Sequence, residues 1–265
     1  QSYGIWKESF NSRIKILVGD LSKEHFSVCD DDWDQLADEV DVIYHNGAWL
    51  NFAQPYSTLK ATNVLGTIEI LKLACEKKTK PVHYISTLIT LAQTVADPMR
   101  VSSINLMSQS KMAYDSDYIQ RNGFNIGYHQ SKWVADELVQ QAGRRGLPIS
   151  IYRPTLISGD SETGVCNITD YICLMIKGCI EMGSAPDQDV VFDFSPVDYL
   201  SKAIIYLSNQ QKSFGTGFVL KNPKPIKWKS LIDWISSYGF NIKCLKPEKW
   251  RRELFEFVGN NSNSP

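Results

Sequence analysis

The alternation of short buried strands with amphipathic helices most constrains this chain. Arg13-Ile-Lys-Ile-Leu-Val-Gly-Asp20, Asp41-Val-Ile-Tyr-His-Asn-Gly-Ala48, Pro81-Val-His-Tyr-Ile-Ser-Thr87 and Pro148-Ile-Ser-Ile-Tyr-Arg-Pro154 each read as a strand closing on small, hydroxyl-bearing or turn residues. Between them lie a short acidic helix over 31–40, a long helix over 55–77 and a third beginning near Gly127. Parallel strands need a crossover of helix length to return to the same edge. The pattern therefore predicts an α/β fold with a doubly wound parallel sheet. After Pro154 come a turn-rich loop, Gly159-Asp-Ser-Glu-Thr-Gly164, and a helix over 169–182. A strand over 189–194, a helix from Pro196 to Leu207, a strand over 217–220 and helices over 228–238 and 247–257 follow. No internal repeat or long linker divides the chain.

In such sheets ligands bind at the carboxyl ends of the strands. Four ends carry suitable residues: Asp20, Asn46-Gly47-Ala48, Ser86-Thr87 and Arg153-Pro154. Asp20 either reaches a ligand or caps its own turn. The small residues Asn46 to Ala48 let backbone approach something flat or charged. Asn63 and Gly66 interrupt the apolar stripe of the 55–77 helix. A polar residue there is either hydrogen-bonded in the core or directed into a site.

Tyr-x-x-x-Lys, which sets a phenol and an ammonium side by side on a helix, occurs at Tyr3/Lys7, Tyr56/Lys60 and Tyr128/Lys132. Only the last lies between a strand ending on Ser86-Thr87 and one ending on Arg153-Pro154, so a hydroxyl, a tyrosine and a lysine can converge there. An adjacent cation lowers a phenol's pKa, which predicts a Tyr128 able to exchange a proton near neutrality, as carbonyl reduction requires.

Composition removes other classes. Apolar residues at 43% and charged residues at 22% are ordinary for a globular chain, and the net charge of −1 gives no nucleic-acid footprint. No apolar run approaches the ~20 residues of a membrane span, and no signal peptide opens the chain. Six scattered cysteines lack a C-x-x-C pair and form no metal motif with the four histidines, which suits free thiols in a reducing cytoplasm. A G-x-S-x-G elbow is absent, against an α/β-hydrolase thioesterase.

Taken together, Ser86-Thr87, Tyr128-x-x-x-Lys132 and Arg153-Pro154 resemble the extended short-chain dehydrogenase/reductase superfamily. Further segments are similar to the terminal thioester reductase domains of nonribosomal peptide synthetases, found also in carboxylic acid and aminoadipate reductases. These are Gly19-Asp20-Leu21, His45 to Ala48, Tyr56 to Lys60, Asn63-Val-Leu-Gly-Thr67, Gly127 to Trp133, Ile151 to Pro154, Ile157 to Gly164 and Pro196-Val-Asp198. The resemblance covers about Tyr3 to Leu207. It implies a Rossmann-like dinucleotide-binding domain over 1–154 and a smaller carboxyl-terminal substrate-binding subdomain over 155–265, with segments around 190–220 returning to the sheet.

The resemblance also assigns roles. Thr87 would hydrogen-bond the substrate carbonyl, Tyr128 would donate the proton, and Lys132 would hold the nicotinamide ribose and tune Tyr128. Asn63 would support the active site. Asp20, Asn46, Gly47, Ala48, Ser86, Arg153 and Pro154 would line the cofactor, NADPH by family habit with NADH the alternative. The implied reaction is reduction of an acyl or peptidyl thioester on the phosphopantetheine arm of a carrier protein to an aldehyde, or on to an alcohol, within a larger multidomain synthetase. The family's glycine-rich G-x-x-G-x-x-G turn, which holds the pyrophosphate, has no counterpart, so the Rossmann-like domain is expected to be incomplete at its amino terminus. Two rival expectations are a nucleotide-sugar enzyme of the same superfamily and a catalytically silent carrier-docking module.

Overall fold

Strand–helix alternation is realised over most of the expected segments. The computed structural model describes residues 4–91, 103–105 and 126–260. In chain order the strands are β1 (Ile43–His45), β2 (Val82–Ile85), β3 (Ser103–Asn105), β4 (Ile149–Pro154), β5 (Leu156–Ser158), β6 (Ser184–Pro186), β7 (Val191–Phe192), β8 (Phe194–Pro196), β9 (Thr216–Leu220), β10 (Ile226–Lys227) and β11 (Lys243–Leu245). The main helices are α1 (Asp30–Glu39), α2 (56–75), α3 (Gly127–Arg144), α4 (Tyr171–Met182), α5 (Val197–Ser208), α6 (Trp228–Ser237) and α7 (Pro247–Asn260).

The chain divides into two compact units, Gln1–Thr155 with Leu200–Leu220, and Leu156–Tyr199 with Lys221–Pro265. The first is built on a sheet of order β1-β2-β4-β9-β3. β1, β2, β4 and β9 run parallel, and β3 closes the far edge antiparallel to β9. The register aligns His45 with Tyr84, Ile85 with Tyr152 and Pro154 with Leu220. The carboxyl ends of β1, β2 and β4 therefore share one edge. Beneath it, Ile43, Val82, Tyr84, Ile149 and Ile151 pack against Trp33 and Ala37 of α1, Leu73 and Ala74 of α2, and Ala135 and Val139 of α3. In the second unit Cys179, Ala185, Trp228, Leu231, Ile232 and Ile235 form a separate core. Its sheets are two-stranded pairs: β5 with β8, β6 with β11 and β7 with β10.

Three expectations are corrected. The segment 13–20 carries the period of a strand but is not one: Ile16 and Val18 are 80% and 87% exposed. A strand is defined by the partner that satisfies its backbone, and no described strand pairs with this segment. The expected strand over 189–194 is split into β7 and β8, each paired elsewhere. The long helix is interrupted by a π-helical turn, Ala61–Leu65, between Tyr56–Lys60 and Gly66–Cys75. Tyr3 and most of the irregular 96–125 stretch lie outside the described residues.

Candidate active site

Helix α3 meets the carboxyl edge of the sheet at its amino terminus. Gly127 is required there, because a Cβ would overlap the Gln54 carbonyl and the Tyr56 amide. This close approach sets Tyr128 against Phe52, with rings near-perpendicular and centroids 5.5 Å apart. Tyr128 is half-buried, and burial pushes its phenol up to about 12. The expected lowering by Lys132 does not occur.

The reason lies in where Lys132 points. Its Nζ is buried and donates to Tyr84 Oη at 2.8 Å and to the Ile85 carbonyl at 3.0 Å, while standing 4.5 Å from the Tyr84 ring centroid. Burial pulls the ammonium down to about 8, opposed by the Asp136 carboxylate. Two of its three donors are thus directed at β2.

Asn63 joins three elements. It sits in the π-helical turn, a local geometry frequent at functional sites. Its Oδ1 accepts from the Trp49 amide at 2.7 Å, and its Nδ2 donates to the Trp49 carbonyl at 3.0 Å and to Ser131 Oγ at 2.9 Å. Ser131 in turn donates to the Tyr128 carbonyl at 2.9 Å. The loop after β1, helix α2 and the first turn of α3 are held together by this one buried amide. Of the two readings of Asn63, it is a core hydrogen-bonding residue that braces the site.

A second cluster centres on Asp136, 1% exposed. Its carboxylate receives Arg153 Nε at 2.9 Å and Nη2 at 2.6 Å, Thr90 Oγ1 at 3.0 Å, Gln140 Nε2 at 2.8 Å and Ser86 Oγ. Burial would raise the Asp136 carboxyl, but Arg153 and the hydroxyl donors hold it low. The side chains of Ser86 and Arg153, expected to line a cofactor, are turned inward onto this carboxylate.

The remaining expected residues are dispersed along the same edge. Thr87 is half-buried, its carbonyl stands 2.9 Å from Thr90 Oγ1 and shares that hydroxyl's single proton with Asp136, and its own hydroxyl has no partner among the described residues. Asn46 and Ala48 are exposed just beyond β1, and Gly47 makes room for Leu21. Pro154 is buried at the end of β4. Asp20 caps its own turn: its Oδ1 accepts from the Ser22 amide at 2.8 Å, a contact that, with the Ser22 hydroxyl and Lys23, keeps its carboxyl low.

Sequence reasoning passed over Tyr84, Ser131, Thr67 and Asp136. Asp136 had a signal, since it stands four residues after Lys132 on the face that Tyr128 and Lys132 already marked.

A parallel α/β sheet with this tyrosine–lysine helix at its carboxyl edge defines the Rossmann-like class of nucleotide-binding proteins. The chain belongs to the NAD-binding family described as male sterility protein, which it matches over residues 1–204. One of the linear gramicidin synthase subunits of Brevibacillus parabrevis is 39% identical over 251 residues, covering 94% of this chain and 5% of that protein. L-2-aminoadipate reductase of Schizosaccharomyces pombe is 33% identical over 267 residues, 99% of this chain and 18% of that protein. Among solved structures, the terminal R domain from the myxalamid PKS-NRPS pathway superposes with a TM-score of 0.88 at 37% identity, over 98% of this chain and 63% of that one. The chain thus spans a small part of these curated relatives and less than two thirds of the solved R domain. Among the described residues no helix is long and apolar enough to cross a membrane, and no cluster could hold a metal ion.

Proposed function

We propose that this chain carries the catalytic edge of a reductase that releases an acyl or peptidyl group from a phosphopantetheine thioester as an aldehyde, using NADPH. The observation that carries the reading is the buried Lys132, donating to the Ile85 carbonyl at the end of β2 two residues before Thr87 and lying one helical turn after Tyr128, on the helix that Asn63 holds through Ser131. The similarity to an aminoadipate reductase and to a peptide synthase supports the reaction class and a carrier protein as partner. Six free thiols agree with a reducing, cytoplasmic setting.

The residues suit a nicotinamide cofactor. Asn46 and Ala48 are exposed beyond β1, and Lys132 lies one helical turn after a half-buried Tyr128. A reduced nicotinamide, when bound, supplies the hydride. The chain's own residues hold and protonate the carbonyl oxygen. With its phenol near 12, Tyr128 stays protonated at neutral pH, so it acts as a hydrogen-bond donor and acid rather than as a phenolate. Thr87 Oγ1 adds a second donor to the developing oxyanion, and Lys132 keeps a positive charge close by. Ser86 and Arg153 act from behind: through Asp136 they fix the strand ends that present Thr87 and Pro154.

Tyr128→Phe in the complete protein is expected to abolish NADPH oxidation with an acyl-pantetheine thioester. Near-normal turnover would overturn the assignment. Thr87→Val is expected to lower kcat by roughly 10²–10³-fold, the usual cost of one oxyanion donor, while cofactor affinity is kept. An effect confined to cofactor binding would remove Thr87 from the reaction.

A further inference from the structure

We infer that Tyr84 is a positioning residue for Lys132; the inference rests on the reductase reading of this edge. The sense of each hydrogen bond is fixed by what its partners can donate. Thr67 Oγ1 donates its proton to the Asn63 carbonyl at 2.8 Å. The same oxygen stands 3.0 Å from His45 Nε2. Having no second proton, Thr67 can only accept there, so His45 carries its hydrogen on Nε2.

Lys132 Nζ has donors only, so it fills a lone pair of Tyr84 Oη. Donation thus runs from Lys132 onto Tyr84 and, separately, from His45 through Thr67 to the Asn63 carbonyl.

What these bonds do for Lys132 is placement: Tyr84 Oη and the Ile85 carbonyl tie its ammonium to β2, and Lys132 stands on the helix whose Ser131 is held by Asn63.

Tyr84 also shapes the charge on Lys132. Its Oη and the Ile85 carbonyl are the acceptors on β2, and its ring adds a cation–π contact. The other titratable groups around the pair are His45 on β1, Asp136 and Tyr128 on α3, and Arg153 on β4. His45 is neutral, so among these groups Asp136 alone favours the ammonium by charge. Removing the Tyr84 hydroxyl leaves one neutral acceptor on β2 for a buried cation. The ammonium form is then less favoured, and Lys132 loses its proton at a lower pH.

The test compares the complete wild-type protein with Tyr84→Phe and Tyr84→Leu, in two measurements. Nuclear magnetic resonance titration of the Lys132 side chain reports its protonation without any turnover, and the alkaline limb of kcat/KM reports its use. Tyr84→Phe keeps the ring. It is expected to shift both downward by about one pH unit or more, as loss of a hydrogen bond to a charged group demands. Tyr84→Leu, which removes the ring together with the hydroxyl, should shift both in the same direction at least as far. Unshifted titration in a Tyr84→Phe protein of normal melting temperature would overturn the inference. If that variant does not fold, unshifted titration in a folded Tyr84→Leu protein would overturn it instead. A shifted titration with an unmoved kcat/KM limb would show that Tyr84 positions a lysine the reaction does not use, which overturns the reductase reading and leaves the hydrogen-bond assignment standing.

Discussion

His45 shows how a buried residue near Lys132 can govern the stability of the fold. Its ring is 3% exposed, and burial together with the nearby Lys132 ammonium holds the imidazole pKa at about 3, against an ordinary 6.5. The unfolded chain takes up this proton near 6.5, whereas the folded chain resists until about 3. In that window the unfolded state binds more protons, so stability is full above the window and is lost as pH falls through it. A shift of this size corresponds to a loss on the order of 5 kcal/mol by the lower end. His45→Gln keeps an N–H able to reach Thr67 but has no proton to gain. Urea midpoints at about pH 7.5 and about pH 4.5 should separate widely for wild type and much less for the variant. Equal losses in both proteins would transfer the acid sensitivity to other groups. Asp136 is the obvious one, although a carboxyl held low by Arg153 acts only below the usual carboxylate range.

Helix α3 carries more of the site than its two named residues. Its Gly127 lets the helix start against the 54–56 backbone, its Ser131 meets Asn63, and its Asp136 gathers Ser86, Thr90 and Arg153. Asp136→Ala would leave the Arg153 guanidinium buried without its carboxylate, a loss of about 3–5 kcal/mol. In the double variant Asp136→Leu/Arg153→Met the cost should be well below the sum of the single changes, measured by chemical denaturation. An additive result would mean that the pair does not act as a unit. Gly127→Ala is expected to cost about 1–3 kcal/mol by overpacking against the backbone before α2 and to lower turnover through Tyr128. Activity lost no faster than stability would separate the glycine from the site. The spacing of Tyr128 and Lys132 was legible in the sequence because i and i+4 share a helix face whatever surrounds them. The direction of Lys132 was not, because it is set by Tyr84 and the Ile85 carbonyl on a strand more than forty residues away. The same limit explains Ser86 and Arg153: their place at strand ends was readable, but the buried carboxylate that turns them inward lies on another element.

At the scale of the molecule, the parallel sheet was legible because strands buried on both faces read as continuous apolar runs between helical periods. The segment over 13–20 had the same texture and failed, since periodicity records a preference and pairing needs a partner. Each of the two units has a hydrophobic cluster of its own, one around Tyr84 and Ile151, the other around Trp228 and Ile232. A domain with its own core can open as a cooperative unit. Trp228 is 1% exposed and also donates to the Pro186 carbonyl at 2.8 Å, so Trp228→Ala removes both packing and a buried bond. Its cost of about 3–5 kcal/mol should appear in hydrogen exchange as lost protection over α6 and β6, with the amides of β2 and β4 retaining theirs. Ile151→Ala, at a fully buried position of β4, should do the reverse. If either substitution lowers protection equally in β4 and α6, the chain opens as one cooperative body. The site residues of the first unit would then owe their placement to the packing of Trp228 as much as to that of Ile151.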